Sequence, residues 1–196
     1  MDMQGSRHLA VNQQQAWEAL NNPEVLKTCI PGCDKVEATG ENQYAIGMSV
    51  KIGPVAAKFA GKIQLQDVQP PESYTLVFEG QGGAAGFGKG SAEVRLAPAA
   101  DGRGCELSYS AKAQVGGKIA QVGQRLVDGV AKSMAEDFFK RFDTEMERQH
   151  PEAYAAAAEA PAPAAPAPAA AGGVLPTWAW VAIGAALLAA IVLLAR

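Results

Sequence analysis

Residues 44–65 read YAIGMSVKIGPVAAKFAGKIQL, a stretch in which apolar residues alternate with polar or small ones on both sides of Gly53-Pro54. A period of two residues is typical of strands that have one buried and one solvent-exposed face. Gly-Pro marks a turn. The stretch therefore predicts two antiparallel strands joined by a tight connection.

The same alternation returns at residues 74–78, 92–96 and 105–115, and glycine or proline separates the runs. Short connections of this kind favour antiparallel pairing, in which one sheet face is apolar and the other is polar. The sequence therefore predicts an antiparallel sheet of six to seven strands. Polar groups on its buried face are almost confined to three tyrosines: Tyr44, Tyr74 and Tyr109.

Two short helices are predicted before the sheet. Asn12 followed by Gln15 resembles a capping box, and Trp17 with Leu20 gives the next residues an amphipathic pattern. Pro23 suits the first turn of a second helix, which ends before Pro31-Gly32.

A long helix is predicted after Gly116-Gly117. Its apolar residues fall within one broad stripe made of Ile119, Val122, Gly123, Leu126, Val127, Val130 and Met134. Each further step of four residues overshoots a helical turn by about 40°, so that Phe138, Phe142 and Met146 rotate off this stripe. We therefore expect residues 119–134 to be the part of the helix that packs on the sheet.

The relative widths of sheet and helix predict the architecture. Six or seven strands make a sheet roughly 25 to 30 Å wide, whereas one helix with its side chains is about 10 to 12 Å across. A flat sheet would leave much of its apolar face uncovered. The predicted fold is α+β, a curved antiparallel sheet wrapped around a long C-terminal helix, followed by a disordered linker and a C-terminal transmembrane helix.

Charge and composition divide the chain into three parts. Residues 1–150 carry 16 Lys and Arg against 18 Asp and Glu, and they have no cationic cluster. Such a domain is unsuited to nucleic acid, because phosphate contact requires clustered Lys and Arg. Residues 151–174 are rich in alanine and proline and predict a flexible linker. Residues 175–196 predict a transmembrane anchor, because Leu175 to Ala195 are uncharged and long enough to span a bilayer.

The N-terminal residues contain no apolar run that resembles a signal peptide. The expected location is therefore the cytoplasmic membrane, with a single C-terminal span and the domain facing the cytoplasm. This compartment is reducing, and Cys29, Cys33 and Cys105 are expected to be small buried apolar residues and not disulfide partners or metal ligands.

Catalytic patterns are scarce in the first 150 residues. The only histidines are His8 and His150, and neither is placed to complete a Ser-His-Asp or Cys-His arrangement. No pair of acidic residues on an apolar background suggests general acid-base chemistry. The sequence therefore predicts no enzymatic activity, no catalytic residue, no metal ligand and no covalently bound cofactor.

Four segments together carry a resemblance to a known family. They are NNPEVLKTCIPGC (21–33), KIGPVAAKFAGKIQLQD (51–67), PPESYTLVFEGQGGAAGFGKGSA (70–92) and VGGKIAQVGQRLVDGVAKSMAEDFF (115–139). The chain resembles the carbon monoxide dehydrogenase G-subunit family of the START-like (SRPBCC) helix-grip superfamily. The resemblance implies a lipid-binding or quinone-binding accessory protein that recruits a molybdenum-containing CO dehydrogenase, or a related molybdenum hydroxylase, to the membrane.

Two sets of candidate site residues follow. A lipophilic ligand, expected to be a quinone, is placed between helix and sheet, where small facing residues leave space, at Phe59, Phe78, Tyr109, Val122, Gly123, Leu126, Val130 and Met134. The partner enzyme is placed on glycine and proline loops that carry exposed apolar or charged residues, at Ile30, Pro31, Gly53, Pro54, Phe87 and Lys89.

Three alternatives stay open from the sequence. The loops are equally consistent with ordinary tight turns. A core without space for a ligand would make the protein a membrane docking adaptor. A cyclase or aromatase of the same fold would require polar groups in the pocket beyond the three tyrosines.

Overall fold

The computed structural model describes residues 1–158, which form a seven-stranded sheet and five helices. The strands are β1 (Asp2–Leu9), β2 (Cys33–Gly40), β3 (Gln43–Ile52), β4 (Val55–Gln69), β5 (Ser73–Gln81), β6 (Phe87–Pro98) and β7 (Cys105–Gly116). The helices are α1 (Gln13–Leu20), α2 (Pro23–Cys29), α3 (Lys118–Gln121), α4 (Gln124–Gln149) and α5 (Pro151–Ala158).

The sheet has the strand order β1-β7-β6-β5-β4-β3-β2, and every neighbouring pair is antiparallel. The first strand closes one edge by pairing with the last, from Asp2 opposite Lys112 to Leu9 opposite Cys105. The predicted antiparallel sheet of six to seven strands is confirmed, with seven strands in a curved sheet. The predicted hairpin is also confirmed, because β3 and β4 pair directly across Gly53-Pro54.

The caps of the two short helices are as the sequence predicts. The Asn12 side chain accepts a hydrogen bond from the Gln15 amide at 2.9 Å, and the Gln15 side chain accepts one from the Asn12 amide at 3.0 Å. The Asn22 side chain caps α2, which has Pro23 in its first turn. These bonds satisfy amides that have no partner within the helix.

The prediction of one continuous helix from Ile119 to Met134 is wrong. The helix is interrupted at Gly123, whose φ of +98° is a conformation that L side chains rarely adopt. The short α3 before this break turns over the end of the sheet, where Ile119 is buried among Ile52, Ala85 and Val127. The apolar stripe includes Gly123 as an ordinary helical position, although glycine also permits the break.

The expectation that residues 119–134 carry the main packing face is also wrong. Phe142 and Met146 in the second half of α4 are 0% exposed, whereas Leu126 in the first half is 42% exposed. The second half packs into the main core together with Leu9, Val11 and Trp17. It is buried there because α1 and α2 add a second apolar wall, so that the helix contacts more than the sheet.

Residues 151–158, which the sequence assigns to the linker, instead form α5. Ala153 and Tyr154 pack against the main core, and the Tyr154 hydroxyl donates a hydrogen bond to Asp143 at 2.5 Å. The compact unit accordingly extends through residue 159. The rest of the predicted linker and the predicted anchor at 175–196 lie outside the described residues. No helix within residues 1–158 has both the length and the apolar character that crossing a membrane requires.

Candidate functional site

An apolar cavity of about 320 Å³ lies between the inner face of the sheet, α2 and the second half of α4. This volume is at the lower end of the roughly 300–1,000 Å³ typical of small-molecule sites. The helices and the residue that ends α2 contribute Leu20, Leu26, Ile30, Ala135, Phe138 and Phe139 to its lining. The strands contribute Met3, Val36, Tyr44, Ile46, Ile63, Leu65, Tyr74, Leu76, Ala92, Val94, Leu107, Tyr109 and Ala111.

The lining is hydrocarbon or thioether except for three phenol groups. These belong to Tyr44, Tyr74 and Tyr109, the three tyrosines that the strand alternation assigns to the inner face. The cavity lining contains no carboxylate, imidazole, thiol or amine. Such a cavity favours an apolar molecule that has at most a few hydrogen-bonding atoms.

Tyr74 is the most deeply buried of these tyrosines, with 6% of its surface exposed. Its ring meets the edge of Trp17 in a T-shaped contact, with 5.5 Å between the ring centroids and 75° between the planes. Burial, with a smaller contribution from neighbouring Tyr44, raises the pKa of the Tyr74 phenol well above its ordinary value. The phenol therefore stays protonated at neutral pH and keeps an O–H donor.

The other two phenols lie against protein groups. The Tyr44 hydroxyl donates to the Asn21 carbonyl over a long 3.4 Å. The Tyr109 ring stacks on Phe139 with centroids 5.4 Å apart, and it lies so close to Gly5 that a Cβ there would be 2.8 Å from the Tyr109 hydroxyl. Tyr109 is thus held between α4 and the edge strand β1.

Of the eight residues predicted to contact the ligand, Tyr109 lines the cavity and the others lie elsewhere. Phe59, Val122 and Val130 join a separate small cluster at the end of the sheet, around Ile52, Ala85, Ile119 and Val127. The Phe78 ring covers Gly90, where an added Cβ would lie 2.7 Å from the ring.

The remaining three predicted ligand residues belong to the first half of α4 and the break before it. Leu126 is 42% exposed and faces the β3–β4 turn, where a Cβ on Gly53 would lie 2.9 Å from it. Gly123 lies at the break, with open space where a Cβ would stand, and Met134 is half-buried outside the cavity lining. The cavity lies further along α4 than the sequence places it, because the first turns of the helix lie over the end of the sheet.

The predicted partner-binding residues occupy three places. Ile30 is half-buried, ends α2 and lines the cavity, and Pro31 follows it. Gly53 and Pro54 are exposed at the β3–β4 turn, and Phe87, 39% exposed, begins β6 at the same end of the sheet. Lys89 is exposed on the outer face, directly opposite Glu79 on the neighbouring strand.

A second, larger depression of about 820 Å³ lies on the outer face of the sheet. Its lining includes three lysines and two acidic residues: Lys62, Lys89, Lys112, Asp2 and Glu79. Cross-strand register places Glu79 between Lys62 and Lys89, and Asp2 opposite Lys112. These charges offset one another, as expected of a solvated sheet face, so the enclosed apolar cavity is the candidate site.

Two cysteines are buried as expected, and the third is not. Cys29 and Cys105 are 0% exposed, and burial raises the pKa of each thiol to about 11. Cys33 is half-buried at the start of β2, and its thiol donates to the Lys35 carbonyl at 3.3 Å. His8 and His150 lie outside the cavity, bonded to Glu106 and Gln15 respectively.

Sequence reasoning missed the helical side of the site, which consists of Leu20, Leu26, Ala135, Phe138 and Phe139. Phe138 and Phe139 contact each other edge to face, and Phe138 also stacks on Phe142. The concentration of three phenylalanines within residues 138–142 is the available signal in the sequence. The periodicity argument hides it, because these positions rotate away from the stripe that begins at Ile119.

Comparison with known proteins places the chain in a family. The family model for the carbon monoxide dehydrogenase G-subunit (CoxG) matches residues 5–147. A conserved protein from Geobacillus kaustophilus, known from its crystal structure, is 35% identical, with a TM-score of 0.70 over 76% of this chain and 96% of that one. No curated protein matches the sequence.

More distant solved structures share the fold alone. The ZhuI aromatase/cyclase from Streptomyces sp. R1128 is 13% identical, with a TM-score of 0.57 over 76% of this chain and 94% of that chain. A protein from Mycobacterium smegmatis is 16% identical, also with a TM-score of 0.57, over 76% and 92% of the two chains. These likenesses confirm the helix-grip fold that the resemblance implies. Because the CoxG model covers most of the sequence, the chain belongs to the CoxG family of carbon monoxide dehydrogenase accessory proteins.

Proposed function

We propose that this protein is a non-catalytic accessory protein that binds a lipophilic quinone in the cavity and recruits a molybdenum-containing CO dehydrogenase, or a related hydroxylase, to the cytoplasmic membrane. The observation that carries the proposal is the enclosed cavity of about 320 Å³, whose lining is apolar except for three phenols. Membership of the CoxG family supports the choice of partner.

The chemistry of the lining favours an apolar ring compound over a polar metabolite. A polar group that enters a hydrocarbon cavity without a hydrogen-bond partner costs roughly 1–3 kcal/mol. Each buried CH₂ contributes about 0.8 kcal/mol in the opposite direction. The volume suits a ring system with a short substituent, so we propose that a longer isoprenoid tail stays outside.

Membrane recruitment rests on the apolar segment at residues 175–196, which the sequence predicts to be an anchor. We propose that the enzyme contacts the exposed loops at Ile30-Pro31, Gly53-Pro54 and Phe87, together with Lys89. Phe87 and the β3–β4 turn lie at one end of the sheet, and Ile30 adjoins the cavity itself. Docking there would bring the enzyme near the quinone.

Two alternatives have less support. A docking adaptor with a filled core does not account for the cavity. A cyclase-type enzyme requires groups that exchange protons at neutral pH, whereas the only polar side chains in the lining are tyrosines, and burial raises the pKa of Tyr74. The likeness to the aromatase/cyclase concerns the fold alone.

The test is mass spectrometry of lipids extracted from the purified full-length chain. Copurification of a quinone with the wild type is the expected result. Ala111→Leu narrows the cavity from the sheet side and is expected to deplete the quinone, whereas Ala60→Leu, on an exposed position of β4, is the matched control and retains it. The proposal fails if no quinone copurifies, or if both variants retain it equally.

A further inference from the structure

We infer that the hydroxyl of Tyr74 selects the ligand of the cavity, and that it does so by donating a hydrogen bond to a carbonyl oxygen on an apolar ring compound. This inference rests on the proposed function and adds to it the chemical group that the protein reads. A hydrocarbon ligand of the same shape is bound less well.

The Tyr74 hydroxyl is buried without a partner among residues 1–158. Tyr74 is 6% exposed and lines the cavity, and no hydrogen bond within the described residues involves its hydroxyl. In the same part of the chain, every side-chain oxygen or nitrogen that is fully sealed from solvent has a partner. The Tyr74 hydroxyl therefore keeps contact with open space, and the space beside it is the cavity.

The position of this donor is fixed by packing. The ring is clamped edge to face by Trp17, which is itself 8% exposed, and its strand position is held by pairing with Val94 on β6. A donor that is already oriented loses little conformational freedom when it binds an acceptor. Protonation is secure at neutral pH, because burial raises the pKa of this phenol.

The other two tyrosines do not offer an equivalent donor. The Tyr44 hydroxyl already donates to the Asn21 carbonyl, and the Tyr109 hydroxyl lies against the Gly5 backbone at the sheet edge. All other side chains in the lining lack an O–H or N–H group. A ligand without an acceptor would leave Tyr74 unpaired, whereas a ring carbonyl would satisfy it.

The experiment compares two ring compounds of nearly the same shape, 2,3-dimethyl-1,4-naphthoquinone and 2,3-dimethylnaphthalene. Methyl groups at both ring positions prevent thiol addition by half-buried Cys33. Dissociation constants are measured calorimetrically on the full chain in mild detergent, with a detergent-only titration subtracted. Wild type is expected to prefer the quinone, and Tyr74→Phe is expected to weaken quinone binding roughly tenfold while leaving the hydrocarbon unchanged. Tyr109→Phe is the matched control and is expected to keep the wild-type preference.

Three results would overturn the inference. The first is quinone binding by Tyr74→Phe within about twofold of wild type. The second is an equal loss of both ligands in that variant, which indicates a structural role. The third is a wild-type protein that binds the hydrocarbon as tightly as the quinone. If the wild type binds neither compound, the proposed function fails as well.

A measurement on the wild type guards against a variant that does not fold. The infrared carbonyl stretch of the bound quinone is expected at lower frequency than in an alkane solvent, because a hydrogen bond weakens the C=O bond. An unshifted band would overturn the inference without reference to any variant.

Discussion

Among single residues, position in the fold distinguishes side chains of the same type. Cys29 and Cys105 are sealed in the main core, whereas Cys33 stands at the start of β2 with part of its surface exposed. The thiolate is the reactive form of cysteine, so a buried thiol whose pKa is raised to about 11 reacts slowly at pH 8. Three identical residues thus differ in accessibility and in reactivity.

We predict that iodoacetamide at pH 8 modifies Cys33 alone in the native protein, and all three cysteines after denaturation. Peptide mass spectrometry after a timed reaction measures the modification of each residue. Cys33→Ser is the control, and its native form is expected to remain unmodified. Labelling of Cys29 or Cys105 as rapidly as Cys33 would contradict the burial of these two thiols.

Within a single element, α4 and the residue before it show how one residue type has opposite effects. Gly123 precedes the helix with a φ of +98°, and its conformation allows α3 to turn over the end of the sheet. Gly129 lies inside α4, is exposed, and has open space where a Cβ would stand. The first glycine is required by backbone geometry, and the second only adds freedom to the unfolded chain.

We predict that Gly123→Ala lowers the free energy of unfolding by about 1–3 kcal/mol, because alanine is strained at this φ. Gly129→Ala is its matched control and is expected to raise that free energy by about 0.5–1 kcal/mol. Urea unfolding followed by circular dichroism measures both. Equal effects of the same sign would show that the two glycines do not differ in backbone strain.

Across the whole domain, the cavity belongs to three layers and not to a helix and a sheet alone. The sheet supplies its floor, the second half of α4 covers it, and α1, α2 and the residue that ends α2 contribute Leu20, Leu26 and Ile30 at its side. Curvature of the seven strands leaves space that these helices do not fill. The compact unit also includes α5, so the proposed tether begins after this helix.

We predict that a chain ending at Ala158 leaves the membrane fraction and keeps the fold, because it lacks the apolar segment 175–196 but retains α5. A chain ending at His150 is also expected to leave the membrane, but with a lower melting temperature, since Ala153 and Tyr154 no longer cover the core. Ultracentrifugation of washed membranes and thermal unfolding measure the two properties. Retention of the Ala158 chain in membranes would rule out a single C-terminal anchor.

Features that depend on local pattern and chemistry could be predicted from the amino-acid sequence. Alternation with a period of two predicted the antiparallel sheet and assigned Tyr44, Tyr74 and Tyr109 to its inner face, because strand geometry alone dictates which residues share a face. Asn12 and Gln15 predicted their own capping box, since the bonds join residues three positions apart. The four matching segments indicated the family.

The place of the cavity and the identity of its lining depend on contacts between elements that are distant in the chain. A helical pattern tells which residues share a face, but it does not tell which other elements that face will meet. Phe142 and Met146 became core because α1 and α2 lie beside them, and Leu126 became exposed because Gly123 breaks the helix before it. Tyr74 became the candidate donor because Trp17, which is far from it in sequence, closes over its ring without bonding its hydroxyl.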